Sequence, residues 1–552
     1  MRRLLVARGI VSFEDCDLSL AKLTPPELMK GCIAAGAEMA DALQKQSRIL
    51  FVGDFDADGA TSTAVGLIAL RAFGAQHVDY LVPNRFEFGY GLTPEIVAVA
   101  EERTPDLLIT VDNGISSIEG VKAAKSLGWR VIVTDHHLAG QALPVADVIV
   151  NPNQPGCEFP SKAIAGVGVI FYIMMALRTE LRQRNWFAKM DISEPNLAQL
   201  LDLVALGTVA DVVPLDRNNR ILVDQGIRRI RSRRCRPGIE ALLTIAGRQP
   251  ERVVAADLGF AVGPRLNAAG RLEDMSLGIE CLLTDSPDRV HTMAKQLDSL
   301  NQERRAIELE MQSDAQVYLD KLADTGSDLP PALCLFDENR HQGVIGILAA
   351  RVKERTHRPV IAFARVAEDE LKGSARSIHG LHIRDCLDAI ATTHPELLTR
   401  FGGHAMAAGL SIKLADFELF SQVFQKQVAE ILKEEHLCAE VLTDGELQST
   451  ELTIGCAEDL RHALPWGQAF PEPCFEGTFL VDQIRVVGQR HLKVMLKDGR
   501  NNRLYDGIQF NIDARLNFRQ WTRVFIVYRL DVNQYMGSRK LQLLIDYLEP
   551  LD

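Results

Sequence analysis

Blocks of apolar and polar positions change character along the chain. Residues 1–45 show helical spacing with one polar face, which predicts an N-terminal helical cover. From Arg48 to Val150, short apolar runs alternate with helical stretches, as in a parallel α/β sheet. The expected strands are Ile49–Val52, Val78–Val82, Leu107–Val111, Val131–Thr134 and Val148–Val150. Residues 151–285 read as mostly helical, with Asn151-Pro152-Asn153 as a turn and Gly166-Val167-Gly168 opening a helix. Residues 288–325 hold neither Pro nor Gly and keep apolar residues at three-four spacing from Met293 to Leu322. They predict one helix of about 55 Å, a spacer between domains.

A second α/β pattern follows, with strands at Ala332–Phe336 and Val360–Phe363 and a helix after Gln342. Gly402 to Gly409 reads there as a glycine-rich turn opening a small-residue helix. The last hundred or so residues switch to short alternating strands at Thr478–Val481, Leu492–Leu496, Gly507–Phe510, Val524–Tyr528 and Leu541–Ile545, which fit a small OB-like barrel. The expected divisions are 1–47, 48–285, 286–329, 330–436 and 437–552.

The chemistry sits where the early strands end. Ile49–Val52 empties into Asp54, Asp56 and Asp58, then Gly59. Carboxylates this close repel one another, and on a buried strand end a hard divalent cation is the usual remedy. Asp-x-Asp-x-Asp-Gly also begins a calcium EF-hand loop. That loop needs a Glu at its twelfth position, where this chain has Val65, and a helix in front, where it has a strand. Leu107–Val111 runs into Asp112-Asn113-Gly114, Val131–Thr134 into Asp135-His136-His137, and the apolar segment Leu203–Ala210 into Asp211. In open parallel sheets the ligand crevice lies beyond the carboxyl ends of the strands, so these groups should converge. Asp54, Asp56, Asp58, Asp112, His136 and Asp211 suit Mn²⁺ or Mg²⁺ better than zinc, with Asp135 and His137 beside them. They are too many for one ion. Two ions about 3.5 to 4 Å apart would use them all and activate water for in-line attack at phosphorus.

Composition changes this picture little. At 552 residues, 47% hydrophobic and 24% charged, the chain suits several globular domains. A net charge of −12 argues against an overall basic coat for nucleic acid, yet an acidic metal centre contributes to that count and local basic patches remain allowed. No apolar stretch reaches the roughly 18 residues of a membrane span, and Arg8 interrupts the N-terminus too early for a signal peptide. The ten cysteines form no C-x-x-C pair, which fits a reducing cytoplasm.

Six of the nine residues Arg228–Arg236 are arginine, which reads as a solvated helix end, with a phosphate-tracking patch as the alternative. Gly263-Pro264-Arg265 places an arginine in a rigid turn suited to bidentate phosphate contact. Gly373-Ser374-Ala375-Arg376-Ser377 offers a hydroxyl and a guanidinium on one strand face. In the barrel, Arg490, His491, Lys493, Tyr535, Arg539 and Lys540 are candidate strand contacts, although a purely structural barrel explains them nearly as well.

Asp135-His136-His137, with Asp54-x-Asp56-x-Asp58-Gly59 and Val111-Asp112-Asn113-Gly114 upstream and Asp211 downstream, resembles the DHH phosphoesterase superfamily. Gly402-Gly403-His404 resembles the signature of its companion DHHA1 domain. With the terminal barrel, nearly the whole chain is similar to the single-strand-specific DNA exonucleases of that superfamily. The resemblance implies a DHH domain with helical part, a connecting helix, a DHHA1 domain and an OB-like domain. It also implies 5′-to-3′ hydrolysis of single-stranded DNA to mononucleotides, with two Mn²⁺ or Mg²⁺ ions, in recombination and repair.

By the same resemblance, Asp56 and Asp112, with Asp54, hold one ion, and Asp58, Asp112, His136 and Asp211 the other, so that Asp112 bridges. Asp135 orients a histidine, and His137 meets the substrate phosphate or the metal's water. Arg85, Arg265, Ser374, Arg376 and His404 are the expected phosphate contacts, in a channel sized to exclude duplex. A single-stranded-DNA-binding protein and a helicase are the implied partners of a monomer. The rivals are a DHH enzyme for short or cyclic dinucleotides, which is usually built without barrel or long helix, and a scaffold that has lost catalysis, which would lack acids that are present here. A nucleotide-binding dehydrogenase is excluded because Gly-x-Gly-x-x-Gly does not follow the first strand.

Overall fold

The computed structural model describes the chain apart from residues 84–90, 141, 325–328, 339–341, 343–344, 404, 438–439, 489–490, 511, 513–520, 536–537 and 552. It divides into two compact units: Met1–Gly270 with Asp274–Asp298 and Leu442–Asp552, and Arg271–Glu273 with Ser299–Val441. The division falls inside one helix, Pro287–Asp324, formed where the Gly- and Pro-free stretch predicts it.

The first unit is built on five parallel strands, β1 (Ile49–Val52), β2 (Val78–Leu81), β3 (Leu107–Val111), β4 (Arg130–Thr134) and β5 (Val148–Val150), in the order β2-β1-β3-β4-β5. Every residue of β1 and β3 is buried, which is why these strands are apolar throughout rather than alternating. The Ala57–Ala72 helix packs on the Gly166–Gln183 and Leu201–Ala210 helices. From β1 the chain steps to one side for β2 and to the other for β3. That reversal opens a crevice at the carboxyl ends of β1 and β3.

The N-terminal segment departs from the expected helical cover. Only Arg2–Val6 and Cys32–Gln44 are α-helical, with short 3-10 turns between them. Leu4 belongs to the core of the C-terminal barrel, and Arg8 makes a bidentate pair with Asp444, both bonds 2.8 Å. The arginine run is a partly solvated helix end, as expected, with its side chains held by local partners. Arg231 donates to the Val253 carbonyl and Arg236 to those of Leu282 and Leu283, while Arg228 pairs with Asp224 and Arg233 with Glu240 and Glu251.

In the same unit, β11 (Phe475–Val487), β12 (His491–Lys497), β13 (Leu504–Gln509), β14 (Arg523–Tyr535) and β15 (Ser538–Pro550) form a closed barrel in the order β11-β12-β13-β15-β14. Only β13 and β15 pair in parallel. Three strands run 13 residues, longer than the expected short ones. The apolar alternation marks only the part over the core, whereas β14 and β15 stay paired from Val524–Pro550 out to Tyr535–Ser538.

The second unit holds β6 (Leu333–Phe336), β7 (Val360–Ala367), β8 (Glu370–Arg376), β9 (Arg400–Gly403) and β10 (Ala407–Lys413), in the order β6-β7-β8-β10-β9. Here the described residues of Gly402–Gly409 form no helix: β9 and β10 pair antiparallel, and β10 pairs along β8. Ala408, Leu410 and Ile412 are buried at every second position, a strand period that the neighbouring small residues obscured. The anion site expected at that helix start therefore has no helix to form it.

Candidate metal centre

Each acidic strand end is locked by its own backbone. Asp54 follows β1 and is buried. Asp56 caps the Ala57–Ala72 helix, its Oδ1 accepting from Asp58 N at 2.9 Å and Gly59 N at 3.0 Å. Asp58, 1% exposed, reaches the start of the Gly166–Gln183 helix and accepts from Gly166 N at 2.7 Å and Val167 N at 2.9 Å. Two helix N-termini thus face the acids, and their dipoles favour negative charge there.

Asp112 follows β3 with φ 63°, an uncommon conformation for a residue other than glycine. Its neighbour Asn113 ties the strand ends together, donating Nδ2 to Val52 O at 3.0 Å and Val111 O at 2.9 Å. A Cβ on Gly166 would lie 2.8 Å from Asp112 Oδ1, so only glycine lets the helix start approach. Gly207 plays the same part for the Leu201–Ala210 helix, since a Cβ there would lie 2.2 Å from Thr61 Oγ1 and 2.8 Å from Asp58 Oδ1.

At the end of β4, Asp135 is saturated with donors. Its Oδ1 accepts from His136 N at 2.7 Å, His137 N at 3.0 Å and His137 Nδ1 at 2.7 Å, and its Oδ2 from Ile115 N at 2.9 Å. It is a buried orienting group. The histidine carbonyls are held by Asn153 Nδ2 at 2.6 Å and Asn151 Nδ2 at 2.9 Å. So oriented, His136 Nε2 lies 3.1 Å from Asp112 Oδ1, 3.5 Å from Asp211 Oδ2 and 4.0 Å from Asp58 Oδ2.

Electrostatics state what such a cluster requires. Burial, and then the charge of Asp56, pushes Asp58 up to about 7. Burial, and then the other acids, led by Asp58, raises Asp112 and Asp211 well above the carboxylate range. Burial works against a charged His137, but its hydrogen bond to Asp135 and the charges of Asp135, Asp54 and Asp56 lift it to about 9. Acids that resist ionising together fit divalent cations. Three sets place a ligand atom of each member within 4.8 Å of the others: Asp54-Asp56-Asp112, Asp58-His136-Asp211 and Asp112-His136-His137. Together they offer five carboxylates and two imidazoles, an oxygen-rich donor set that suits Mn²⁺ or Mg²⁺.

The remaining expected residues are the phosphate and strand contacts. Gly263–Leu272 is a helix, not a turn, because Pro264 is tolerated in a first helical turn. Arg265 there is engaged within the chain, bonding Asp298 at 2.8 Å and the Ala261 carbonyl at 2.6 Å. In the second unit, Arg376 Nη1 donates to Ser374 Oγ at 3.1 Å, and a Cβ on Gly346 would lie 2.9 Å from both side chains. Burial alone lowers the pKa of Arg376, and among the described residues no carboxylate pairs with it. In the barrel, Lys493 pairs with Asp506 at 3.2 Å and Arg539 with Glu458, His491 meets Phe510 edge-on, and Lys540 is exposed. Arg85, His404, Arg490 and the side chain of Tyr535 lie outside the described residues.

Sequence reasoning missed Asn267, whose Oδ1 takes the Ala57 amide at 2.7 Å across 210 residues. It also missed the work of Asn151 and Asn153, although their Asn-Pro-Asn turn was visible. Among the described residues, no helix is long and apolar enough to cross a membrane.

An acid-and-imidazole cluster at the switch point of a parallel sheet, with a second sheet and an OB-type barrel, defines a DHH-class protein. Models of the DHH family N-terminal domain, the DHHA1 domain and the RecJ OB domain match residues 48–208, 330–430 and 443–547. The single-stranded-DNA-specific exonuclease RecJ of Dickeya dadantii is 54% identical and that of Escherichia coli 52%, each over 100% of this chain and 96% of the relative. The Bacillus subtilis RecJ is 33% identical over 98% of this chain and 67% of its own. The crystal structure of Thermus thermophilus RecJ with Mn²⁺ aligns at TM-score 0.80 and 29% identity, covering 100% of this chain and 76% of that one. The chain belongs to the RecJ family of single-stranded-DNA-specific exonucleases.

Proposed function

We propose that this protein is a metal-dependent exonuclease that hydrolyses single-stranded DNA from the 5′ end to mononucleotides, with two divalent ions at the switch point of its first sheet. The observation that carries the reading is His136 Nε2 set 3.1 to 4.0 Å from carboxylates of Asp112, Asp211 and Asp58, each supplied by a different segment. Asp54, Asp56 and Asp112 would hold one ion and Asp58, Asp112, His136 and Asp211 the other, with Asp112 shared. Ions bound there supply phosphoryl polarisation and an activated water for in-line displacement.

The protein's own groups do the rest. Asp135 fixes the ring of His137 through a 2.7 Å bond to Nδ1, which leaves Nε2 as the atom proposed to meet a non-bridging phosphate oxygen. Asp58 is held by two amides, so its oxygens are placed before any ion arrives. Arg376, a cation without a described carboxylate partner, and Ser374 are proposed phosphate contacts in the second unit. Action in the cytoplasm as a monomer, alongside a single-stranded-DNA-binding protein and a helicase, completes the proposal; free cysteines are consistent with that compartment.

The test supplies 5′-labelled and 3′-labelled single strands, the matching duplex and a cyclic dinucleotide, each with Mn²⁺ or with chelator. The expected result is Mn²⁺-dependent release of the 5′ label as a mononucleotide, with the duplex spared. Release of the 3′ label first would overturn the polarity, and cleavage of the dinucleotide alone would overturn the polymer substrate.

A further inference from the structure

At the helix end that presents Asp211, and on the π-turn packed against it, two apolar side chains are exposed in a way that nothing in the metal centre explains. Between the Ala255–Asp257 and Gly263–Leu272 helices the backbone widens into a π-turn, Leu258–Val262. Such turns are rare and cluster at functional positions. This one sits against the last turn of the Leu201–Ala210 helix: a Cβ on Gly259 would lie 3.1 Å from Val209 Cγ1, and one on Gly263 would lie 3.1 Å from Ala210 Cβ. Leu258 and Val262 are fully buried, which turns Phe260 outward at 85% exposure.

On the other side of the contact, the residue after Asp211 is Val212, 62% exposed and at φ 60°. Glycine normally takes that conformation after a helix, and a β-branched residue there is strained. A π-turn that exposes a phenyl ring thus packs on the last turn of the helix that leads to Asp211, and a strained, exposed valine follows that acid directly.

We infer that Phe260 is a ledge that receives the base of the nucleotide whose phosphate lies at the acids. This rests on the nuclease reading above. Every base has a π-face, so stacking on one phenyl ring is sequence-tolerant, as an exonuclease stepping through arbitrary sequence needs. Phe260 positions substrate and takes no part in the chemistry.

The test measures steady-state cleavage of single strands by the full chain with Mn²⁺. Phe260→Ala should raise KM about tenfold, from the loss of one base–aromatic stack, and leave kcat unchanged. Phe260→Trp should restore KM. On a strand with an abasic site at the terminal nucleotide, the wild type should fall to the level of the alanine variant, and that variant should lose nothing further. Unchanged KM in Phe260→Ala, or an equal penalty on abasic and normal strands, overturns the ledge. So does a fall in Mn²⁺ affinity equal to the fall in activity, because the residue would then only support Asp211. If the wild type cuts no single strand, the nuclease reading fails and the ledge with it, an outcome distinct from an active wild type indifferent to Phe260.

Discussion

Asp112→Asn should make the metal-free protein more stable while abolishing its activity. Asparagine keeps the volume that fits beside Gly166 and tolerates the φ of 63° found at this position, so the substitution removes charge and little else. Ligand atoms of Asp112, Asp54 and Asp56 lie within 4.8 Å of one another, and two full charges at that distance repel by about 3.5 kcal/mol at an effective dielectric of about 20. Protonation caps the cost. A gain of about 3 kcal/mol for the variant at pH 8 in chelator is the expected size.

The direction with pH follows from proton uptake. An acid whose folded pKa is raised binds more protons folded than unfolded, so wild-type stability falls as pH climbs from about 4 through the raised folded value. The variant's advantage should be absent near pH 4 and grow toward neutrality. Chemical denaturation in chelator across that range, then with Mn²⁺, measures it. Mn²⁺ should stabilise the wild type strongly by mass action and the variant much less. A variant less stable than wild type in chelator at pH 8, or one that still cleaves, would refute the shared-acid assignment.

Gly207→Ala should cost about 1 to 3 kcal/mol and weaken Mn²⁺ binding, since the new methyl presses on Thr61 Oγ1 and Asp58 Oδ1; thermal unfolding with and without Mn²⁺ checks both. Asp135→Asn should lose about 2 kcal/mol relative to wild type below pH 6.5 in chelator. His137 is held up to about 9, so the stability its charged form contributes is lost as pH rises through that value, and the gap between the two proteins should close by then. A gap that widened from pH 6.5 to 9 would sink the pairing.

The strands of the first sheet were readable because both faces are covered, so an unbroken apolar run of four or five residues had no competing period. Their acids were readable because an ionisable group straight after a buried strand is unusual enough to need a reason. Gly402–Gly409 was misread for the opposite cause. Small residues carry little amphipathic signal, and only pairing with β8 makes that stretch a strand. Arg265 was misplaced because Gly-Pro reads locally as a turn, whereas packing of Gly263 on Ala210 continues the helix through it.

The sequence by itself determined the kind of chemistry: which side chains are hard-cation ligands, which segments end in them, and that three of these segments are strands of one parallel sheet. Tertiary structure alone decided the distances. His136 Nε2 stands 3.1 Å from Asp112 because Asn151, Asn153 and Asp135 hold the histidine loop, and because Gly166 lets a helix close over the acid. These are contacts between groups far apart along the chain, and no local pattern encodes them. Local residue types set what a segment can bind, whereas close packing of distant backbones sets where the binding atoms meet.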